Sequence, residues 1–200
     1  MDSVGAPRLL RAEDCTTGFS SGRRSIDVWF RRRAWDDRQT GRHRTYVLPD
    51  RETDGIAGLI ALGWGCIGRA QVFCVERRGG LVNWIVSPTS EADDPMTEDV
   101  LAEKALLPTR EFLVMRIGRL AVASQYQGYG HARSLVRFAL QYCASTARPN
   151  GCFGVVVHPP DPSTRNMFHR FGFQDVPADA SRAMIVRTVD LQRNGFGVSA

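Results

Sequence analysis

Two glycines and an alanine stand at alternate positions, Gly128, Gly130 and Ala132, within the segment SQYQGYGHARSLVRFAL at residues 124–140. The preceding stretch EFLVMRIGRLAV has the composition of a strand and ends at Val122, and the apolar residues after the glycines recur at helical spacing. A glycine-rich loop that opens a helix presents backbone N–H groups without intrahelical acceptors, and the helix dipole favours an anion there by about 0.3–2 kcal/mol. The segment therefore predicts an anion site, and its bare backbone suits a pyrophosphate.

The same glycines also suit a tight strand-to-helix connection that binds no ligand. The loop lacks the Lys-Ser/Thr ending of a nucleotide P-loop, and its glycine spacing differs from the G-x-G-x-x-G pattern of dinucleotide sites. The spacing alone leaves both interpretations open, so the nature of the ligand depends on the elements around the loop.

These elements alternate between helical and extended patterns, which is typical of a mixed α/β domain. In FSSGRRSIDVWFRRRAWDDRQTG, we expect Ser25 to be the N-cap of a helix with a basic outer face that ends at Gly41. A helix from the glycine loop should reach about Ala147, and a short one should run from Asp161 and Pro162 to Gly172. The predicted strands are residues 44–49, 56–63, 111–122 and 152–158, a pair around Gly79 and Gly80, a strand from Phe173, and a terminal strand at 183–191.

Length and composition favour one domain with a sizeable core, because the chain has 200 residues, 43% of them hydrophobic and 24% charged. The longest nearly apolar run, Ile56–Gly68, has 13 residues and four glycines, short of the roughly 20 needed to cross a bilayer. The first residues lack the pattern of a secretory signal. We therefore expect a cytoplasmic protein without a membrane span.

The cysteines and histidines predict no metal site. The five cysteines include no Cys-x-x-Cys pair and the four histidines are scattered, so we expect reduced, mostly buried thiols. Lys104 is the only lysine among 26 basic residues, and the net charge is +5. Arginine clusters suit phosphate and nucleic-acid contacts, although a solvated helix face and an arginine-rich genome explain them equally well. The clusters are Arg31, Arg32 and Arg33; Arg69, Arg77 and Arg78; and Arg133 and Arg137.

The motifs in the second half of the chain resemble those of a known family, the GCN5-related N-acetyltransferases (GNAT). QGYGHA matches that family's Q/R-x-x-G-x-G/A signature for the pyrophosphate of acetyl-CoA, and RLAV, FGVVVH and MFHRFGF follow the family's order. The resemblance implies an α/β (α+β) GNAT fold, a central mixed, mostly antiparallel twisted sheet flanked by helices, with strands splayed at the acetyl-CoA site. The residues that it assigns to acetyl-CoA binding are Leu120, Ala121, Val122, Gln127, Gly128, Tyr129, Gly130, His131, Ala132 and Asp161. For Asp161 a simple N-cap is an equally good interpretation, and His131 is better interpreted as a polar loop residue than as a base.

One branch of the family is more similar still. FSSGRRSIDVWFRRRA resembles the opening of the acetyltransferase toxins of type II toxin–antitoxin pairs, which acetylate the α-amino group of aminoacyl-tRNA. The resemblance implies aminoacyl-tRNA as acceptor, a cognate antitoxin of the ribbon-helix-helix type, and a homodimer. It fails over residues 69–111, where the sequence is longer and differently composed. Acetylation of a small amine and a non-catalytic acetyl-CoA-binding regulator remain alternatives.

The resemblance also identifies two catalytic positions. A backbone N–H near Val122 is expected to meet the oxyanion of the reaction. Phe168 occupies the position of the family's general-acid tyrosine in FYxxFGF, so the hydroxyl is missing. Three hypotheses follow: the chain is a natural, weakened or non-catalytic binder; Tyr126, Tyr129 or His169 supplies the proton; or tyrosine was deliberately replaced.

Overall fold

The computed structural model describes residues 3–68, 73–76, 80–83, 111–176, 181–193 and 195–196. The helices in these ranges are α1 Arg24–Arg32, α2 Ala34–Gln39, α3 His131–Asn150, α4 Pro162–His169 and α5 Thr188–Arg193, with a 3-10 turn at Ser124–Tyr126. The strands are β1 Arg8–Leu9, β2 Arg44–Pro49, β3 Ile56–Gly68, β4 Phe73–Glu76, β5 Gly80–Asn83, β6 Glu111–Val122, β7 Gly154–Val157, β8 Gln174–Asp175 and β9 Met184–Arg187. The acidic segment 88–99 and Arg69, Arg77 and Arg78 lie outside the described residues.

Seven strands form one sheet in the order β1-β2-β3-β6-β7-β9-β8, and β4 pairs with β5 as an antiparallel hairpin. Neighbouring strands of the large sheet are antiparallel, except that β6 and β7 are parallel. The expected fold class, a mixed and mostly antiparallel sheet flanked by helices, is confirmed.

The parallel pair β6–β7 separates partway along its length. Its register runs from Val114 opposite Gly154 to Ile117 opposite Val157, where β7 ends, whereas β6 continues to Val122. The pairing of β6 with β3 shifts at the same level, since Ala61 lies opposite Arg119 and Leu62 opposite Ile117. Gly118 is therefore the extra residue of a β-bulge, a feature that bends a strand and increases its twist. Beyond it, β6 has lost its neighbour β7 on one edge.

Apolar side chains cover both faces of the sheet. On one face α3 packs against β3, β6 and β7, and its buried stripe of Leu135, Val136, Ala139, Leu140 and Cys143 follows helical periodicity. On the other face α1 contributes Trp29 and Phe30, which pack with Leu59, Ala61 and Ala121. The first seven residues of β3 are all buried, because both faces of this strand are covered.

The first helix differs from its prediction at both ends. It begins at Arg24 after Arg23, which provides no side-chain cap, and Ser25 lies in the first turn. The Asp27 carboxylate instead accepts hydrogen bonds from the backbone N–H of Ser21 at 3.0 Å and its hydroxyl at 2.6 Å, which fixes the chain before the helix. The predicted single helix is also divided at Arg33 into α1 and α2, so the predictions of Ser25 as N-cap and of one continuous helix were wrong.

The C-terminal pattern was predicted as a strand to Leu191, but β9 ends at Arg187 and α5 follows. Two contacts favour the turn into the helix. Arg187 donates to both carboxylate oxygens of Asp190, at 2.7 and 2.9 Å, and the Thr188 hydroxyl donates to the carbonyl of Cys152 at 2.8 Å. These contacts turn the chain into a helix at residues where the alternating apolar pattern alone predicts a strand.

Two smaller predictions also change. The strand expected from Phe173 begins one residue later, at Gln174. Of the four cysteines whose side chains are described, Cys143 and Cys152 are buried, but Cys15 and Cys66 are exposed, so the expectation of mostly buried thiols was wrong for half of them.

Candidate active site

The separation of β6 from β7 opens a cavity of about 510 Å³. Its floor is the free edge of β6 from Ile117 to Val122, and its walls come from the start of α1, the end of β7 and one side of α4. The lining includes Leu120, Ala121, Val122, Gln127 and Ala132 of the residues predicted to bind acetyl-CoA, together with Phe168.

A second cavity of about 570 Å³ lies between the N-terminus of α3 and α4, and it shares Val122, Gln127, Ala132 and Met167 with the first. Gly128 and Gly130 line it with φ angles of +88° and +86°, which L side chains rarely adopt. Because a Cβ added at either glycine would have no atom within 4 Å outside the adjoining residues, backbone conformation and not crowding requires glycine here. The two cavities therefore form a continuous path from a helix N-terminus to the opening in the sheet.

The carbonyl of Gly130 accepts the first hydrogen bond of α3, from the N–H of Ser134 at 3.1 Å. Helix geometry leaves the N–H groups of His131, Ala132 and Arg133 without intrahelical acceptors at the wall of the second cavity. Arg133 and Arg170 line the same cavity and add positive charge. An anion is the ligand that this arrangement favours.

Gln127 lines both cavities, but its side-chain amide forms hydrogen bonds with the protein backbone. Its Nε2 atom donates to the carbonyls of Ser21 at 3.0 Å and Val122 at 2.9 Å. One side-chain amide therefore joins the segment before α1 to the end of β6. These contacts account for an amide side chain at this position.

The edge of β6 that faces the cavity carries backbone groups. The N–H of Ala123 donates to the carbonyl of Ala57 at 2.8 Å, toward β3. Because successive residues of a strand direct their N–H groups to opposite edges, the N–H of Val122 points toward the opening. The carbonyl of Val122, on the same edge, accepts from Gln127. The geometry can thus place an N–H donor beside a ligand oxygen.

Phe168 lies on α4 with 1% of its surface exposed and lines the first cavity. Its ring packs edge-to-face against Phe173, with 5.1 Å between the ring centroids. Residue 168 is therefore positioned at the cavity, but its side chain offers no proton.

The three residues considered as substitutes for a tyrosine at position 168 have other contacts. Tyr126 donates its hydroxyl to Asp50 at 2.6 Å, and Tyr129 is 77% exposed and lines neither cavity. Nδ1 of His169 lies 3.0 Å from the carbonyl of Phe173. None of them lines the cavity beside Phe168. His158, directly after β7, does line it, and the sequence signal for it was its position at the end of a buried strand.

Asp161 is the N-cap of α4. Its carboxylate accepts from the N–H of Thr164 at 2.8 Å and forms an ion pair with Arg23, and these contacts hold the pKa of the carboxyl below its usual value. The carboxylate lines neither cavity, although its neighbours Pro160 and Thr164 line the first. The capping interpretation is confirmed.

Arg119 is a cavity residue that sequence reasoning missed. Its guanidinium lies over the ring of Trp29, 4.4 Å from the centroid, and the indole Nε1 donates to Asp37 at 2.7 Å. The sequence clusters lie outside the first cavity. Arg31, Arg32 and Arg33 are exposed at the end of α1, and Arg133 and Arg137 are exposed on α3, where Arg133 lines the second cavity.

Within the described residues, no three His, Cys, Asp or Glu side chains are grouped so that they could hold a metal ion. In the same part of the chain, no helix is long and apolar enough to cross a membrane.

Comparison with known proteins agrees with this geometry. The model of the acetyltransferase (GNAT) family matches residues 96–173. A Mycobacterium tuberculosis (strain ATCC 25618 / H37Rv) protein named tRNA-acetylating toxin is 27% identical over 187 residues, which are 93% of this chain and 94% of that protein.

Solved structures of the toxin AtaT are similar at 16% sequence identity. AtaT complexed with acetyl-methionyl-tRNAfMet has a TM-score of 0.74 over 95% of this chain and 98% of AtaT. A tyrosine-to-phenylalanine mutant of AtaT, bound to the C-terminus of the antitoxin AtaR and acetyl-CoA, has a TM-score of 0.70 over 97% of this chain and 99% of its own. This likeness shows that the chain has the same fold as AtaT, and the match over residues 96–173 makes that part of the chain similar to the GNAT acetyltransferases.

Proposed function

We propose that this chain is an acetyl-CoA-dependent N-acetyltransferase of the toxin type, and that its acceptor is the α-amino group of an aminoacyl-tRNA. The observation that supports this most is the continuous path from the N-terminus of α3 to the free edge of β6. A long ligand with an anionic middle and an apolar reactive arm fits such a path.

The residues present fit acetyl-CoA. The N–H groups at the start of α3, with Arg133 and Arg170, would hold its pyrophosphate, and Gly128 and Gly130 give the loop the backbone conformation required. Leu120, Ala121, Val122 and Met167 give the first cavity an apolar wall for the pantetheine arm. Tyr129 and His131 are the neighbours of Gly130 in this loop, and Asp161 contributes by holding the start of α4. When bound, acetyl-CoA supplies the activated acetyl group.

The chain's own contribution to the reaction is mainly positioning. The N–H of Val122 would stabilise negative charge that develops on the thioester oxygen. The cavity holds the acceptor amine beside the acetyl group, and such proximity supplies much of the rate of a transfer reaction. The amine must lose a proton and the thiolate must gain one. The side chain of Phe168 can neither accept nor donate a proton.

The charges of the first cavity favour a nucleic-acid acceptor over a small polyamine. Arg23 and Arg119 are among its lining residues, whereas no aspartate or glutamate is, within the described part of the chain. A polyamine site would need carboxylates, and an RNA acceptor needs phosphate-binding cations. The relative named tRNA-acetylating toxin supports the same acceptor.

We also propose that a cognate antitoxin covers part of this surface, since AtaT is seen bound to the C-terminus of AtaR. The proposals that this antitoxin is of the ribbon-helix-helix type and that the chain forms a homodimer rest on the sequence resemblance. Light scattering at micromolar concentration tests the dimer, and a strict monomer would contradict it.

The acceptor is tested by incubating the chain and its Phe168→Tyr variant with labelled acetyl-CoA and a panel of aminoacyl-tRNAs, uncharged tRNAs and free amines. We expect label on aminoacyl-tRNA alone. Label confined to small amines would favour the alternative acceptor. Transfer to no acceptor by either protein would favour a non-catalytic acetyl-CoA-binding regulator.

A further inference from the structure

We propose that Arg116 and Arg119, which flank the bulge glycine of β6, bind the phosphodiester backbone of the single-stranded 3′ end of the acceptor RNA. This inference rests on the proposed aminoacyl-tRNA acceptor and assigns the surface that receives it. Arg116 and Gly118 are both exposed, although they belong to a central strand of the seven-stranded sheet. The middle of this sheet face is therefore open to a ligand.

The two arginines share the α1 face of the sheet. Arg119 lies opposite Ala61, whose side chain is in the core beneath α1, and Arg116 lies opposite Gly63, two residues along the same face of β3. In a regular strand, residues three positions apart point to opposite faces, and the extra residue at Gly118 brings Arg116 and Arg119 to the same face. The α3 helix, with the loop proposed to bind pyrophosphate, lies on the other face. These arginines thus face the acceptor side.

Both side chains are held in place without a carboxylate partner. Arg119 is stacked on Trp29, and Trp29 is fixed by its hydrogen bond to Asp37. The stem of Arg116 crosses the bare backbone of β3, since a Cβ at Gly65 would lie 2.5 Å from its Cδ. Neither guanidinium forms an ion pair within the described part of the chain. Oriented guanidinium groups with unused donors suit phosphate oxygens.

His43 completes the surface between the two arginines as a neutral ring. A Cβ at Gly118 would lie 3.3 Å from its Nε2 and one at Gly63 would lie 3.0 Å from its Cδ2, so the ring packs against strand backbone that lacks side chains. Burial lowers the pKa of His43, and the charges of Arg119, Arg116 and Arg42 lower it further against the opposing effect of Asp37. The local positive charge therefore comes from the arginines.

A single strand of RNA is the occupant that fits best. The surface joins the first cavity through Arg119 and Gly118, so a chain bound along it ends at the opening between β6 and β7. An aminoacyl group at the 3′ terminus would then reach the cavity while the preceding phosphates meet the arginines. The alternative occupant, a phosphate of acetyl-CoA, is disfavoured because the helix N-terminus that suits it lies on the other face.

The test measures binding of the full chain to a 5′-fluorescent aminoacylated minihelix that carries the acceptor stem and its single-stranded 3′ end. The chain with Phe168 suits this binding measurement because the missing hydroxyl should slow acetyl transfer to the RNA. We expect Arg116→Gln and Arg119→Gln each to weaken binding by roughly tenfold or more, and each to reduce the slope of log affinity against log salt by about 0.7. Arg119→Lys should recover only part of the loss, because lysine lacks the planar fork.

Arg193→Gln, on exposed α5, removes the same charge elsewhere and should leave the affinity and the salt slope within twofold of the parent. Calorimetry should show unchanged acetyl-CoA affinity in Arg116→Gln and Arg193→Gln, because neither residue lines the two cavities proposed to hold acetyl-CoA. Unaltered minihelix binding in both arginine variants overturns the inference while leaving the proposed acceptor intact. Equal losses on a blunt duplex without the 3′ strand also overturn it. A parent that binds acetyl-CoA but no minihelix overturns the proposed acceptor and this inference together.

Discussion

Arg23 and Asp161 form an ion pair that joins the residue before α1 to the N-cap of α4, 138 residues further along the chain. Arg23 lines the first cavity, so the pair fixes two walls of that cavity relative to each other. The interaction is partly exposed, and an exposed pair of this kind contributes about 0–1 kcal/mol to stability. The pair therefore links α1 to α4 at the cavity and adds little to the stability of the fold.

Substitution of Asp161 can separate its two roles. Asp161→Asn keeps an N-cap and removes the charge, whereas Asp161→Ala removes both, at a further cost of about 1 kcal/mol in the free energy of unfolding. We expect Asp161→Asn to raise KM for acetyl-CoA severalfold with a small change in stability. Urea denaturation and steady-state kinetics measure these effects. Equal stability loss in the two variants would contradict the capping role.

The stability difference between the parent and Asp161→Asn should depend on pH. The folded-state pKa of Asp161 is lowered, so its ionised form stabilises the folded state above the ordinary value of 3.8. That contribution is lost as the pH falls through the lowered folded-state pKa. Unfolding curves from pH 6 to pH 2.5 should therefore converge at the acidic end, and curves that stay parallel would argue against a stabilising carboxylate.

The glycine loop gives a prediction about cofactor affinity. Gly130→Asp places a carboxylate and a Cβ at a residue with φ of +86°, beside the N–H groups proposed to hold pyrophosphate. We expect saturable 1:1 binding of acetyl-CoA in the parent and a loss of at least tenfold in the variant, measured by calorimetry. Gly41→Asp is the matched control, because its φ is +73° and it lines neither proposed acetyl-CoA cavity. Equal affinity in Gly130→Asp and the parent would remove the site assignment.

Gln127 provides a separate test of how the cavity is built. In Gln127→Glu an acceptor oxygen replaces the Nε2 donor that now binds the carbonyls of Ser21 and Val122. An ordinary intramolecular hydrogen bond contributes about 0.5–1.5 kcal/mol, and these two are only partly buried, so we expect a loss of about that size in the free energy of unfolding and weaker acetyl-CoA binding. Gln125→Glu, in the neighbouring exposed turn, makes the same chemical change and should be nearly neutral. Loss of transfer without loss of stability would instead indicate that Gln127 contacts the ligand.

The elements that the sequence predicted well are those set by local rules. Gly128 and Gly130 were identifiable because a loop that opens a helix needs positive φ, and Asp161 because Asp-Pro is a helix start. The contacts that shape the cavity join residues far apart: Gln127 reaches Ser21 across 106 positions. The bulge at Gly118 depends on the register with β3, which no pattern within β6 reveals. The place of Arg119 at the site follows from that bulge, which is why the arginine clusters drew attention to other positions.

Restoring the missing hydroxyl is the most direct test of catalysis. Phe168→Tyr should raise acetyl transfer to aminoacyl-tRNA by two to four orders of magnitude, the usual contribution of a positioned acid. Acetyl-CoA affinity should change little, because the ring and its packing against Phe173 are retained and the added oxygen can face the cavity. In growing cells, the tyrosine form should stop translation while the present chain is tolerated. If both forms are equally harmless and inactive, the toxin function is contradicted.

His158 determines how a small effect of Phe168→Tyr would be interpreted. It is the histidine that lines the same cavity as Phe168 within the described chain, and an imidazole is a common general acid. We expect His158→Gln to leave transfer by the Phe168→Tyr variant within a few-fold, because tyrosine then supplies the proton. Should the present chain already transfer acetyl groups efficiently, His158→Gln in that background would decide the matter. A loss of two to four orders of magnitude, with the alkaline limb of the pH–rate profile removed, would assign the proton donor to His158 and show that Phe168 is not a defect.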